Sequence, residues 1–305
     1  MFMNMKNRIL YLALSAMAAL FLSSCSEESL DDQSVIVESE TTATQFDKWL
    51  EFNYRTPYNI RVMYRYEDTE TDMDYYAVPA DYDQAVELAH IVKYSCIEAY
   101  DEIAGVDFTR EYFPKLLYFS GEWEYRNNGT IVLGTAEGGK KIFLAGVNYL
   151  DQYKQSVSLL NHYYLKTIHH EFTHILNQTK DYPTSYQQIT GSDYVADSWS
   201  KSPFSGSSYY LSHGFISAYS QYSDSEDFAE MLSVYVTNTA ETWNEFLTDA
   251  GKTGAALINA KLEIVKSYMS ETWGIDLDKL RDAVIGREEE IAAGRINLTD
   301  LTIDN

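Results

Sequence analysis

Apolar residues recur at helical spacing in two long stretches of this chain, and at strand spacing in the region between them. From Asp81 to about Ile103, the residues Val86, Ala89, Ile91, Val92, Cys96 and Ala99 form one stripe, which predicts a strong helix with the Cys96 thiol as inert core. From about Ser158 to Gln178 there is no Gly or Pro, and Leu165, Ile168, Phe172, Ile175 and Leu176 repeat along a second stripe. Between these helices lie short β-type runs at Lys115–Phe119, Thr130–Leu133 and Lys141–Leu144, divided by the turn residues Asn127-Asn128-Gly129 and Glu137-Gly138-Gly139. They predict a small sheet directly ahead of the second helix, preceded by an extended segment from Asn59 to Tyr66.

Beyond that helix the pattern breaks down from Thr179 to Ser225, where Ser, Tyr, Asp and Gly dominate and a long loop or lid across a cleft is predicted. Helices resume at about Glu226–Val236, Ala255–Met269 and Leu277–Ile291, and the residues from about Asn297 read as frayed. No internal repeat is evident. The predicted class is α+β: a small sheet before the second helix, then a mainly helical C-terminal part.

The first 24 residues carry Lys6 and Arg8, an apolar run from Ile9 to Leu22, and then Leu22-Ser23-Ser24-Cys25. The run is short for a membrane span, and small residues directly before a cysteine predict a lipoprotein signal with Cys25 as the lipidated first residue. Ser26-Glu27-Glu28 follows and resembles the surface-export signal of Bacteroidota-type lipoproteins, which implies an outer-membrane lipoprotein facing the cell exterior. Residues 25–45 are polar and aperiodic and read as a flexible tether. Residues 46–305 then form one domain, with an N-terminal lobe to about 150 and a helical lobe over about 151–296.

With a formal charge of −23, which loss of the two signal cations makes more negative, the chain's charge disfavours nucleic acid and anionic membrane surfaces as partners. Only two cysteines occur, so once Cys25 is lipidated Cys96 has no disulfide partner in the chain. The 26 tyrosines fit amphipathic packing in a β-containing domain better than a sugar- or peptide-binding surface.

The candidate chemistry lies in His170-Glu171-Phe172-Thr173-His174, inside the second helix and off its apolar stripe. Residues four apart share a helix face, so His170 and His174 can grip one tetrahedral zinc. Glu171 sits beside the metal, where it can take a proton from water that the metal has acidified. This is the HExxH arrangement of zinc-dependent hydrolases. The adjacent His169 points about 100° away and reads as a surface residue or a support to the ligands.

A catalytic zinc site wants a third protein ligand, and no third histidine follows at short spacing. The candidates are Glu226 and Glu230, one turn apart in Ser225-Glu226-Asp227-Phe228-Ala229-Glu230-Met231, so that one can bind the metal while the other orients a ligand histidine. Ser223 and Glu226 also fit a capping box. His213, in Ser212-His213-Gly214-Phe215, is a competing oxyanion donor, proton shuttle or third ligand.

The E-x-F-A-E run resembles the gluzincin group of metallopeptidases, some of which also have a tyrosine seven residues before the ligand glutamate; here that residue is Tyr219. The whole layout, lipobox included, is similar to the substrate import-associated zinc metallohydrolase lipoproteins. The resemblance implies a gluzincin-like fold with His170, His174 and Glu226 as zinc ligands. It also implies that Glu230 supports a ligand histidine from behind and that Tyr219 donates to the oxyanion. Partners implied are a peptide or protein substrate, the membrane through the lipid anchor, and a TonB-dependent transporter complex. In many zinc peptidases an edge strand of such a sheet binds extended substrate, although here it can equally be a plain supporting sheet. A rival reading is a non-catalytic peptide- or glycan-binding lipoprotein of an import complex.

Overall fold

Three strands of one sheet run parallel and a fourth runs against them, beside the helix that carries the histidine pair. The structure is a computed structural model that describes residues 42–67, 78–125, 130–132, 134–137 and 140–303. The lipobox, Cys25, most of the tether and the Asn127-Asn128-Gly129 turn lie outside the described residues, as do Leu133 and Gly138-Gly139. From Ala43 onward the chain packs as one unit, with one large core running from Phe46 to Ile291.

The sheet comprises β1 (Arg61–Met63), β2 (Leu116–Phe119), β5 (Gly134–Glu137) and β6 (Lys141–Leu144), in the order β1-β2-β6-β5. β1, β2 and β6 are parallel, and β5 folds back on β6 with Glu137 opposite Lys141. A separate antiparallel pair joins β3 (Glu124–Tyr125) to β4 (Ile131–Val132). Among the described residues, the run expected at Thr130–Leu133 supplies the short β4. The edge strand β5 was not expected, because Gly134-Thr135-Ala136-Glu137 has neither alternation nor bulk to mark it.

The helix expected from Asp81 begins at Tyr82, where the Asp81 carboxylate accepts the Gln84 amide at 3.1 Å. It continues from Val92 through a π-helical turn, Lys93–Ile97, into Glu98–Ala104. Cys96 is fully buried there, as its place on the stripe requires, and burial pushes its thiol well up. A helix not foreseen opens the domain at Gln45–Leu50, where Thr44 and Asp47 form a reciprocal capping box.

The motif helix follows the same plan: Val157–Leu160, a π-helical turn at Asn161–Leu165, then Lys166–Thr179. Leu165, Ile168, Phe172, Ile175 and Leu176 are all buried, and Phe172 meets Tyr100 edge-on at 4.9 Å and Phe113 at 5.0 Å. These aromatic contacts fix the rotation of the helix, leaving His170 and His174 on its other side.

The acidic helix, Asp224–Val236, packs closely against the motif helix. Next comes Ala240–Trp273, capped by Thr239 and broken at Gly251, whose φ of +65° interrupts the helical path. Its first segment was not expected from sequence; its second covers the expected Ala255–Met269. The last helix is Leu277–Ala292.

The segment from Thr179 to Ser225 is not a free lid. Tyr182 packs against the core, while Tyr186, Leu211, Phe215 and Ile216 are buried. Short turns at Gln187–Thr190, Ala196–Ser198, Ser207–Ser212 and Tyr219–Gln221 carry the rest. Aromatic anchors supply the order that helical periodicity did not show.

Candidate metal centre

The motif helix turns the Nε2 atoms of His170 and His174 to within 3.1 Å of each other. Glu226 enters from the acidic helix, with Oε2 2.9 Å from His170 Nε2 and 3.2 Å from His174 Nε2. Among the described residues, these three form a group whose ligand atoms lie close enough together to hold one metal ion. A tetrahedral zinc with bonds of about 2.0–2.1 Å spaces its donors by roughly 3.3 Å, so the triangle is close to the right size with a small expansion on loading. Two imidazole nitrogens and a carboxylate oxygen facing one point also constitute a borderline-soft donor set that suits zinc.

Ser223 caps the acidic helix, its hydroxyl accepting the Glu226 amide at 3.3 Å. Only half of the expected capping box forms, because the Glu226 side chain turns to the histidines instead of back to the cap.

Glu230, one turn later and 2% exposed, sits behind His170. Its Oε1 lies 2.9 Å from His170 Nδ1, an ion-pair distance and not an aligned hydrogen bond, and accepts from Lys166 Nζ at 2.7 Å. Its Oε2 accepts from the Ser217 hydroxyl at 2.6 Å. The two glutamates thus divide over the two nitrogens of one ring: Glu226 faces the inward Nε2 and Glu230 the outward Nδ1, the position from which a carboxylate orients a metal-bound histidine.

Burial pushes the His170 imidazolium toward losing its proton, but Glu226 and Glu230 outweigh it and bring the ring up to about 10. Burial also raises the carboxylates, yet His170 and His174 hold Glu226 down at about 2, and Lys166 with His170 keeps Glu230 well below the usual range. The centre is therefore built around positive charge, which a divalent cation supplies.

Glu171 is half-buried on the adjoining face and contributes negative potential at His170. Tyr219 lies beside His170, with ring centroids 6.0 Å apart, and the Trp199 ring meets it edge-on at 5.1 Å.

One expectation needs correction. His169 is not at the surface; it is fully buried, with its ring turned to the core, Nδ1 3.2 Å from the Tyr100 hydroxyl and Nε2 3.8 Å from Cys96 Sγ, and burial pushes it down to about 3. The apolar stripe is simply one residue wider than periodicity indicated. His213 stacks on Tyr209 at 4.0 Å, and its Nδ1–H donates to the Tyr209 carbonyl at 2.7 Å. None of its described contacts reaches the histidine–glutamate cluster. Sequence reasoning missed Lys166, Ser217 and Trp199. Lys166 could have been found, since it precedes His170 by one turn, whereas the other two come from an aperiodic segment with no such signal.

The sequence profile of the putative zinc-binding metallo-peptidases matches residues 39–278. The chain belongs to this family. The crystal structure of a putative zinc-binding metallo-peptidase from Bacteroides caccae ATCC 43185 is similar over 88% of this chain and 100% of that one, at 38% identity and a TM-score of 0.74. No curated protein matches the sequence. Zinc is the family's metal, and His170, His174 and Glu226 are the residues that could hold it here.

Proposed function

We propose that the protein is a zinc-dependent peptidase, anchored by lipid at Cys25 to the outer face of an outer membrane and acting beside a transporter that imports its products. The observation that carries the catalytic part is the convergence of His170, His174 and Glu226 with Glu171 one residue along the same helix. Zinc, when bound, supplies Lewis acidity that polarises a carbonyl and acidifies water. Glu171 takes the proton from the attacking water and passes it to the departing amine. The Tyr219 hydroxyl donates a hydrogen bond to the developing oxyanion, an interaction that typically contributes about 2.7–4 kcal/mol. Glu230 and Lys166 keep the His170 ring oriented through both steps.

Glu171→Gln tests this reading directly. It should keep full zinc content yet lose peptide hydrolysis, measured on a mixed peptide library by mass spectrometry. Full activity in that variant would sink the mechanism. Tight peptide retention without turnover by the zinc-loaded wild type would instead favour a binding lipoprotein.

The address rests on Leu22-Ser23-Ser24-Cys25 and the acidic residues after it, and the transporter on the likeness to import-associated lipoproteins. Fatty-acid labelling lost in Cys25→Ser, and removal of the protein from intact cells by added protease, are the expected results.

A further inference from the structure

Tyr219 reaches the metal centre from a segment that shares no helix with any ligand, so its placement must come from specific contacts. Ser217 provides them. Its hydroxyl has a single hydrogen, which it donates to Glu230 Oε2 at 2.6 Å. Its lone pairs then face the Ser220 amide at 3.1 Å and the Ser220 hydroxyl, also at 3.1 Å. With the Ser217 hydrogen committed to the carboxylate, Ser220 must donate both of those bonds. Residues 217 and 220 are thereby closed into a turn, with Tyr219 inside it at the start of the Tyr219–Gln221 helical turn.

The second oxygen of the same carboxylate, Oε1, lies against His170 Nδ1 and Lys166 Nζ. Glu230 is buried and cannot swing toward water, so neither oxygen moves without the other. Trp199 also meets the Tyr219 ring edge-on at 5.1 Å, and its own segment is tied to the turn where the Val195 amide donates to the Gln221 carbonyl at 2.8 Å.

We propose that Ser217 is a positioning residue that fixes Tyr219 to the metal centre through Glu230, so that one buried carboxylate sets both the tilt of the ligand His170 and the place of the oxyanion donor. The proposal rests on the peptidase reading for its kinetic consequence but not for its structural one. A serine that merely closed a local turn would act independently of Tyr219. A serine that works through Tyr219 loses its effect once the phenol hydroxyl is gone.

The experiment is a double-mutant cycle on the zinc-loaded full chain, with Ser217→Ala, Tyr219→Phe, their combination, and Ser217→Thr, together with amide hydrogen exchange at Ser220. Ser217→Ala should lower kcat roughly 10- to 100-fold, as expected for a misplaced catalytic group, with KM and zinc content little changed. Ser217→Thr keeps the hydroxyl and should retain most of the rate. The double variant should be no slower than Tyr219→Phe alone. Exchange at Ser220 should accelerate by about 10-fold or more in Ser217→Ala, since its amide loses its acceptor. Multiplicative losses in the double variant overturn the proposal, and so does wild-type exchange at Ser220 in Ser217→Ala. If the wild type hydrolyses no peptide, the peptidase reading fails, and the exchange measurement alone decides whether Ser217 holds the turn.

Discussion

Replacing Glu230 with glutamine separates the two glutamates, because the substitution keeps the shape of the side chain and removes only its charge. In the structure the buried Glu230 carboxylate faces a ligand histidine, a lysine ammonium and a serine hydroxyl at 2.6–2.9 Å. A neutral amide can still accept from Ser217, but it no longer stabilises positive charge on the His170 ring or on Lys166. Loss of a carboxylate behind a metal-bound histidine typically weakens metal affinity 10- to 100-fold, or roughly 1.4–2.7 kcal/mol. Glu226→Gln removes an anionic donor from the metal itself, and its loss should be larger. The assay is competition for zinc against a chromophoric chelator at fixed pH, with circular dichroism to confirm that each variant is folded. The expected order of affinity is wild type, then Glu230→Gln, then Glu226→Gln. A Glu230→Gln protein that binds zinc as weakly as Glu226→Gln, or as tightly as wild type, would refute the division of roles between the two helical turns.

Two further outcomes concern stability. Lys261 and Asp227 form a fully buried pair at 2.5 Å, with Lys261 also 4.0 Å from the Phe215 ring centroid and Tyr194 donating to Asp227 at 3.0 Å. Burial pushes Asp227 up to about 6 and Lys261 down, while their contact pulls each back. Lys261→Met strands the carboxylate and should cost about 3–5 kcal/mol in denaturant unfolding, with part recovered when Asp227→Asn is added; a loss below about 1 kcal/mol would show the pair to be dispensable. Glu288, also fully buried, has one oxygen held by the Asn161 amide at 2.8 Å, and burial raises it well above the usual carboxylate range. The folded state then holds a proton that the unfolded chain releases near pH 4.3, so stability falls as pH rises from there toward the folded value. Glu288→Gln should flatten that slope and leave the protein more stable at neutral pH, with no difference at pH below about 4; an unchanged slope of unfolding free energy against pH would contradict it.

The parts of this fold that were legible in the sequence are those where one face of an element is apolar and the other is not. Phe172 and its neighbours placed the motif helix to within a residue or two, and the same stripe put His170 and His174 on the opposite side. Lys141–Leu144 was marked by a short apolar run, whereas β5 was hidden because small residues at an edge strand carry no period. The choice between Glu226 and Glu230 could not come from spacing, since both lie on one helix face; it depended on which nitrogen of His170 each would meet. Ser217 and Trp199 were invisible for a related reason. Their positions follow from tertiary contacts within a segment held by aromatic anchors, and nothing local in the sequence records those contacts.

The two histidines of the centre are neighbours in sequence, but Glu226 lies 56 residues beyond His170. An unfolded chain therefore offers a metal only the histidine pair, and the complete grip exists only after the motif and acidic helices have docked. A bound zinc then acts as a clasp across a long loop, and it stabilises the folded chain by as much as it prefers the complete grip to the histidine pair alone. Such a clasp makes zinc a ligand of the folded state, so that resistance to unfolding rises with free zinc. The chain becomes both competent and durable in one event, at whatever place it first meets zinc after folding.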